Sequence, residues 1–165
     1  MPHQVFIAIG SNLGDRKANH LEAIRRIQEL PHTRVVKQSS FYESEPHGDA
    51  TEWFVNSVIE VQTDLTPEEL LRKLQAIEEE MGRKRVKGKK GDNRVIDLDI
   101  LFYESLVLNK RNLKIPHPEI PNRKFVLLPL SELAPSFRHP ELHKSVSELL
   151  ATTKDTKRVH LYRGS

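Results

Sequence analysis

The segment from residue 94 to residue 101, RVIDLDIL, carries two acidic residues within the composition of a buried β-strand. Its apolar residues are β-branched or leucine, as is typical of strands. Alternate side chains of a strand share a face, so Asp97 and Asp99 point the same way, about 6.6 Å apart. At an effective dielectric constant of about 20 their repulsion is roughly 2.5 kcal/mol, and partial desolvation adds to it. The strand must therefore have one apolar face and one charged face, and the charged face needs a cation.

A strongly basic segment precedes this strand. Residues 83–94, RKRVKGKKGDNR, hold seven arginines and lysines against the single acid Asp92. Gly88 and Gly91 favour a flexible loop over a packed helix or strand. A charge run of this kind is most often only a solvated loop. Here it leads directly into the paired aspartates, which gives the cations a possible partner.

Carboxylates and cations in one place suit a magnesium nucleotide. Mg²⁺ is usually bound by one or two carboxylates together with substrate phosphates, while arginine and lysine bind the remaining phosphate oxygens. Asp97, Asp99 and the basic loop therefore predict a Mg-nucleotide site, because phosphoryl transfer needs mainly positioning and charge neutralisation. The chain has no Walker A sequence, since residues 10–16, GSNLGDR, lack the Gly-Lys-Ser/Thr ending.

Hydrophobic periodicity and turn residues divide the chain into alternating elements. They predict strands over residues 5–9, 33–42, 53–63 and up to about 103, and helices over residues 18–30, from 66 to 82 and near 145–151. Thr66 followed by Pro67 is a strong helix start, and Gly82 ends that helix. The order strand, helix, strand, strand, helix, strand predicts an α+β fold. It is a ferredoxin-like α/β sandwich, an antiparallel sheet with helices packed on one face.

Composition limits the class of protein. The 165 residues, 37% hydrophobic and 30% charged, predict one domain spanning residues 1–165. The lack of cysteine excludes disulfides, thiolate zinc sites and a cysteine nucleophile. The sequence has neither an apolar stretch of membrane-spanning length nor the start of a signal peptide, so we expect a cytoplasmic protein with no membrane partner.

Six segments of the chain match motifs of a known enzyme family. They are FIAIGSNLGDR (residues 6–16), SSFYESEPHG (39–48), WFVNSVIEV (53–61), LQAIEEEMGRKR (74–85), RVIDLDILFY (94–103) and IPHPEIPNRKFVLLPLSELAP (115–135). In this order they resemble 6-hydroxymethyl-7,8-dihydropterin pyrophosphokinase, an enzyme of folate biosynthesis. The resemblance implies a ferredoxin-like core and a magnesium-dependent transfer of the β,γ-pyrophosphoryl unit of ATP to the pterin hydroxymethyl oxygen, which releases AMP.

The resemblance also implies a catalytic and nucleotide-binding set. Asp97 and Asp99 would hold two Mg²⁺ ions, and Arg83 and Arg94 would act with them in catalysis. ATP, as co-substrate, would be bound by a larger group made up of Gln75, Glu78, Arg85, Arg94, Ile100, His117 and Arg123.

For the pterin, the resemblance implies a pocket that holds a flat ring. Phe54 and Phe125 match the two aromatic residues that sandwich the ring, and Asn56 matches the amide that contacts its edge. Phe54 and Asn56 share one face of their strand, as a stacked and hydrogen-bonded heterocycle requires. The remaining residues of this pocket would be Ser44, His47 and Asp97.

Several of these residues have simpler explanations when taken alone. Strand phenylalanines are usually core residues. His117 stands between two prolines, where a histidine is more often a satisfied loop residue than a ligand. Glu78 is the first of three consecutive glutamates, which usually form a solvated helix face. The chain also departs from many relatives, which have a tryptophan and a proline just before the residue matched by Arg94.

Two other classes of function remain open. The first is a nucleotide-sensing or RNA-binding module with the same order of elements, and the second is a different two-metal phosphotransferase or nucleotidyltransferase. RNA-recognition modules carry a glycine-aromatic run that this sequence lacks, and a nucleic-acid surface would gain nothing from two exposed carboxylates. We therefore expect ATP and the pterin as partners, no nucleic acid, and a monomer.

Overall fold

The computed structural model describes residues 2–82 and 93–164. Its elements in chain order are β1 (His3–Ser11), α1 (Arg16–Gln28), β2 (Thr33–Gln38), β3 (Tyr42–Ser44), β4 (Phe54–Thr63), α2 (Pro67–Glu80), β5 (Asp97–Tyr103), β6 (Leu108–Lys110), β7 (Leu113–Ile115), a 3₁₀ turn (Ile120–Asn122), α3 (Lys124–Leu133), α4 (Val146–Thr152) and β8 (Val159–Leu161). In these residues no helix has the length and apolar character needed to cross a bilayer.

Six of the described strands form one sheet. Its order is β5-β1-β4-β3-β8, and β2 also pairs with β4. β1 is antiparallel to both β4 and β5, and β2 is antiparallel to β4. With α1 following β1 and α2 following β4, this is the ferredoxin-like arrangement. The predicted fold class is therefore confirmed.

The helices cover both faces of this sheet. Ile7 and Ile9 of β1 belong to a core that includes residues of α1 and α2. Phe6, whose side chain points to the other face, belongs to a second core with residues of α3 and α4. The prediction that helices pack on one face only is wrong. The reason is α3, which forms in a proline-rich segment and contains Pro129, a residue that disfavours a helix interior.

The predicted strand over residues 33–42 is two strands instead of one. β2 ends at Gln38 and β3 begins at Tyr42. Between them Ser39 still bonds to Val58, through its N–H (2.9 Å to the Val58 carbonyl) and its hydroxyl, which accepts from the Val58 N–H. The N–H of Ser40 then donates to the Glu132 carboxylate of α3, 2.9 Å away, so the chain leaves the ladder at this point. β3 begins beyond it and runs towards the pocket described below.

A buried histidine joins α1 to the middle of the sheet. His20 is fully buried, with Nε2 2.7 Å from the Val55 carbonyl oxygen and Nδ1 2.8 Å from the Ser57 hydroxyl. Because a carbonyl can only accept, Nε2 carries the proton and Nδ1 accepts from Ser57. Burial lowers the pKa of His20 to about 4, and the charge of Arg16 acts in the same direction. The ring is therefore neutral at pH 7.

The free energy of unfolding should fall as the pH drops from 6.5 to 4. In this range an unfolded His20 binds a proton that the folded protein excludes, so stability is present above pH 6.5 and is lost below it. One such histidine contributes a slope of at most about 1.4 kcal/mol per pH unit. His20→Gln keeps a donor and an acceptor but cannot titrate. Urea denaturation at several pH values should show a shallower slope for this variant, and identical slopes would contradict the prediction.

Candidate active site

A row of three residues crosses the sheet on the α3 face. Gly10 of β1 is paired with Asp97 of β5 on one side and with Asn56 of β4 on the other. Directly opposed residues share a face, so the Asp97 carboxylate and the Asn56 amide project on the same side. A Cβ on Gly10 would come 3.3 Å from the Asn56 amide oxygen and 3.6 Å from the Phe54 ring. Because glycine has no side chain, it leaves space above the sheet between Asp97 and Asn56.

Two phenylalanines form an aromatic slot beside this row. Phe54 begins β4 and Phe125 lies in the first turn of α3, and both side chains are buried. The His47 ring lies between them, with centroids 4.8 Å from Phe54 and 4.9 Å from Phe125 and interplanar angles of 18° and 10°. We call the space between the two phenylalanine rings the aromatic slot. Burial lowers the pKa of His47 to about 4, as does the charge of Arg123, so this imidazole is neutral at pH 7.

A hydrogen bond fixes the amide that faces the slot. The Asn56 side-chain nitrogen donates to the Ser44 hydroxyl, 2.6 Å away, and both residues are buried. Nδ2 carries a second hydrogen, and Oδ1 remains an acceptor next to Gly10. Asn56 can therefore offer one donor and one acceptor to the edge of a flat ligand. The sequence indicated a pocket-lining role for Ser44 but not this orienting bond.

The cation that the aspartate pair requires is partly supplied by Arg94. Its Nη1 lies 3.2 Å from an Asp97 carboxylate oxygen, and both side chains are largely covered. Asn12 fixes the backbone of Arg94 through two hydrogen bonds. The Asn12 side-chain oxygen accepts from the Arg94 backbone N–H at 2.5 Å, and the Asn12 backbone N–H donates to the Arg94 carbonyl at 3.0 Å. Asp97 and Asp99 both line the cavity that contains the aromatic slot. The carboxylates and the slot thus form one site.

His117 and Arg123 border the same site. The His117 Nδ1 accepts from the Glu119 N–H at 3.1 Å, so Nε2 carries the proton and can donate. Burial lowers the pKa of His117 to about 4, and Arg123 acts in the same direction while Asp97 opposes it. The Arg123 guanidinium lies over the Phe125 ring, 5.6 Å from its centroid, and lines the same cavity as the carboxylates. This edge of the site offers one cation and one neutral donor.

Three residues expected near the nucleotide lie on α2 or on the face of β5 that packs against α1 and α2. Ile100 is buried in the core with α1 and α2, opposite the carboxylates. Glu78 of α2 is buried, and its carboxylate accepts from the N–H of Leu98, the residue between the two aspartates, at 2.8 Å. It is therefore not a solvated helix face. Gln75 is half-buried about one turn earlier on α2. The nucleotide roles of these residues stay predictions.

Sequence reasoning also missed a connection made by Asn93 around the site. The Asn93 side-chain oxygen accepts from the Asn12 side chain at 2.8 Å and from the Thr51 N–H at 2.9 Å. These contacts tie the loop after β1 to the segments before β4 and before β5. Asn93 stands in the segment where the sequence departs from the expected family motif, which was the only signal for it in the sequence. Arg83 and Arg85 lie outside the described residues.

Comparison with known proteins identifies the family. The model of the family described as 7,8-dihydro-6-hydroxymethylpterin-pyrophosphokinase matches residues 6–135. A Pseudomonas aeruginosa protein named 2-amino-4-hydroxy-6-hydroxymethyldihydropteridine pyrophosphokinase is 41% identical over 92% of this chain and 92% of its own length. The chain belongs to the 7,8-dihydro-6-hydroxymethylpterin-pyrophosphokinase family. The family resemblance of the sequence is thus confirmed.

Some relatives of this pyrophosphokinase family are much longer. A Dictyostelium discoideum protein named folic acid synthesis protein FOL1 is 39% identical over 94% of this chain, and a Pneumocystis carinii protein named folic acid synthesis protein fol1 is 42% identical over 87% of it. The chain spans only 23% and 19% of their lengths. A solved structure described as Plasmodium falciparum HPPK-DHPS wild type with STZ-DHP superposes with a TM-score of 0.73 over 92% of this chain and 43% of its own. At 15% identity this likeness shows the fold.

Proposed function

We propose that this chain transfers the β,γ-pyrophosphoryl unit of ATP to 6-hydroxymethyl-7,8-dihydropterin, giving the pterin diphosphate and AMP in folate biosynthesis. The observation that carries the proposal is the row formed by Asp97, Gly10 and Asn56. It joins a carboxylate pair to a flat aromatic slot across the width of three strands. A phosphoryl donor and a heterocyclic acceptor bound at its two ends would meet between them, as a transfer reaction requires.

The pterin end of the site matches a pterin in shape and in hydrogen bonding. Phe54 and Phe125 provide two roughly parallel ring faces, since the His47 ring lies close to parallel with each. Asn56 provides a donor and an acceptor at the edge, held by Ser44. A pterin is flat and carries donors and acceptors along one edge, so both its faces and that edge would be matched.

The charges at the other end of the site favour a nucleotide. Arg94 and Arg123 are cations within reach of the carboxylates, and His117 offers a neutral N–H donor. Arginine binds phosphate oxygens through a planar fork of donors. These groups would hold the phosphates of ATP against β5. Arg83 and Arg85 are further candidates on the family resemblance.

The residues fit magnesium. Within residues 2–82 and 93–164, no three histidine, aspartate or glutamate side chains come together as a complete metal cage. Asp97 and Asp99, which line one cavity, instead offer the one or two carboxylates that Mg²⁺ uses when phosphates supply other ligands. Two bound Mg²⁺ ions would neutralise phosphate charge as it shifts towards the leaving group.

The reaction follows from this placement. The pterin hydroxymethyl oxygen attacks the β-phosphorus and gives its proton to water. The bond from that phosphorus to the α,β-bridging oxygen breaks, and AMP leaves with the bridging oxygen. Arg94 and Arg123 would hold the transferred unit in line while the aromatic slot holds the acceptor.

The identity of the nucleotide product tests the proposal. With ATP, magnesium and 6-hydroxymethyl-7,8-dihydropterin, we expect AMP and pterin diphosphate in equal amounts, and neither product when the pterin is omitted. Chromatography of the quenched reaction measures both products. ADP in place of AMP would reassign the chain to kinases that transfer one phosphoryl group. A folded protein without nucleotide turnover would favour the nucleotide-sensing or RNA-binding alternative.

A further inference from the structure

The aromatic slot already contains a ring that belongs to the protein. The His47 imidazole stacks on both phenylalanines, at centroid distances of 4.8 and 4.9 Å and within 18° of parallel. These are the distances at which aromatic rings attract each other when offset-stacked. His47 thus makes the two contacts that the proposed function assigns to the pterin ring.

The space that remains is too small for a second ring. With His47 in place, the cavity lined by Phe54, Asn56, Asp97 and Phe125 has a free volume of about 30 Å³. A volume of this size accommodates little more than a water molecule. A bicyclic pterin therefore cannot enter the aromatic slot while the imidazole is there.

The imidazole has a place to move into. On its other side His47 lines a neighbouring cavity of about 290 Å³, together with Gly48, Asp155 and Lys157. The side chain is only partly buried, and Gly48, the next residue, has a positive φ of 61° in a loop outside the regular strands. A change of the His47 rotamer would therefore empty the slot without disturbing β4 or α3.

We propose that His47 is an internal occupant of the aromatic slot, which the pterin must displace, and that it thereby sets the affinity for the pterin. The inference rests on the proposed function, because it takes the slot as the pterin site. The apparent dissociation constant is the intrinsic one divided by the fraction of molecules with an empty slot. Removing the His47 ring should therefore tighten pterin binding, whereas removing a residue that only contacts the bound pterin would weaken it.

Variants at His47 test the sign of this effect. Binding of 6-hydroxymethyl-7,8-dihydropterin without ATP is measured by isothermal titration calorimetry, so that no turnover occurs. We expect His47→Ala to lower the Kd about tenfold, equivalent to about 1.4 kcal/mol. His47→Phe, which keeps a flat ring and makes it apolar, should raise the Kd about tenfold. His160→Ala removes an exposed imidazole that lies against Trp53, outside the slot, and should leave the Kd unchanged.

A measurement on the unaltered chain tests the same point independently. In the ligand-free protein the His47 ring protons lie between two aromatic faces, so their NMR signals should be shifted upfield by ring currents. Titration with 6-hydroxymethyl-7,8-dihydropterin should move them towards the positions of an exposed histidine. The proposal would be overturned if the His47 signals of the ligand-free protein already lay at the positions of an exposed histidine. It would also be overturned if these signals did not move when the pterin binds.

The outcomes separate this inference from the function on which it rests. A lower Kd for His47→Ala together with a higher Kd for His47→Phe supports the occupant role. An unchanged or higher Kd for His47→Ala overturns it and leaves the pterin site intact. If neither the unaltered chain nor His47→Ala binds the pterin, both the proposed function and the inference fail.

Discussion

Turnover of ATP and the pterin should fall by about a thousandfold or more when either Asp97 or Asp99 is replaced by asparagine. The amide keeps the size of the side chain but loses the charge that binds Mg²⁺. Several kcal/mol of transition-state stabilisation are lost with that charge, and about 4 kcal/mol corresponds to a thousandfold lower rate. The fold should survive, because removing one carboxylate relieves the repulsion between two acids on one strand face. Steady-state rates at limiting and saturating magnesium measure the effect.

A matched variant separates this effect from a general loss of negative charge. Asp64 is exposed just after the far end of β4, away from the aromatic slot. Asp64→Asn makes the same chemical change and should retain full turnover. Circular dichroism and thermal denaturation should be close to those of the unaltered chain for all three variants. Undiminished turnover of Asp97→Asn or Asp99→Asn at limiting magnesium would remove the metal hypothesis.

The parts of the site that follow a strand's alternation could be predicted from the sequence. Asp97 and Asp99 share a face because strand side chains alternate, and the same rule places Phe54 and Asn56 together on β4. The element order then brings β5, β1 and β4 side by side. Local periodicity and the order of elements are thus enough to predict which strand residues come together at the site.

The contacts that complete the site join residues far apart in the chain. Asn12 bonds to Arg94 across 82 positions, and Ser44 orients Asn56 from another strand. No periodic pattern encodes such pairs, because each depends on how the fold brings separate segments of the chain together. The segment carrying Phe125 is helical although it contains Pro129, since its apolar residues Val126, Leu127 and Leu130 are buried in the second core. Tertiary packing here outweighs local propensity.

Glu78 shows how burial reverses an expectation based on composition. Three consecutive glutamates usually face solvent. The first of them is buried here, and it accepts from the Leu98 N–H between the two aspartates. Glu78 contacts the backbone of β5, and the side-chain types in the sequence do not predict such a contact. A residue of α2 therefore helps to hold the aspartate strand in place.

The second large effect is expected at the pterin edge. Asn56→Leu replaces the amide by an apolar group of similar size and removes both the donor and the acceptor that face the slot. A pterin bound there would leave buried polar groups without partners, at a cost of about 3 kcal/mol, or roughly a hundredfold in Kd. Binding of a non-hydrolysable ATP analogue should change little, because its proposed contacts are at the other end of the row. Calorimetric titrations with each ligand measure the two affinities.

Ser44→Ala provides the graded control for this prediction. It removes only the hydroxyl that accepts from the Asn56 amide at 2.6 Å and leaves Asn56 itself in place. The amide would then lose its fixed orientation but keep both polar groups, so the loss of pterin affinity should be about tenfold, near the value of one hydrogen bond. The affinity for the pterin should decrease in the order unaltered chain, Ser44→Ala, Asn56→Leu. Equal losses for the pterin and the ATP analogue in Asn56→Leu would indicate general damage to β4 and contradict an edge contact with the pterin.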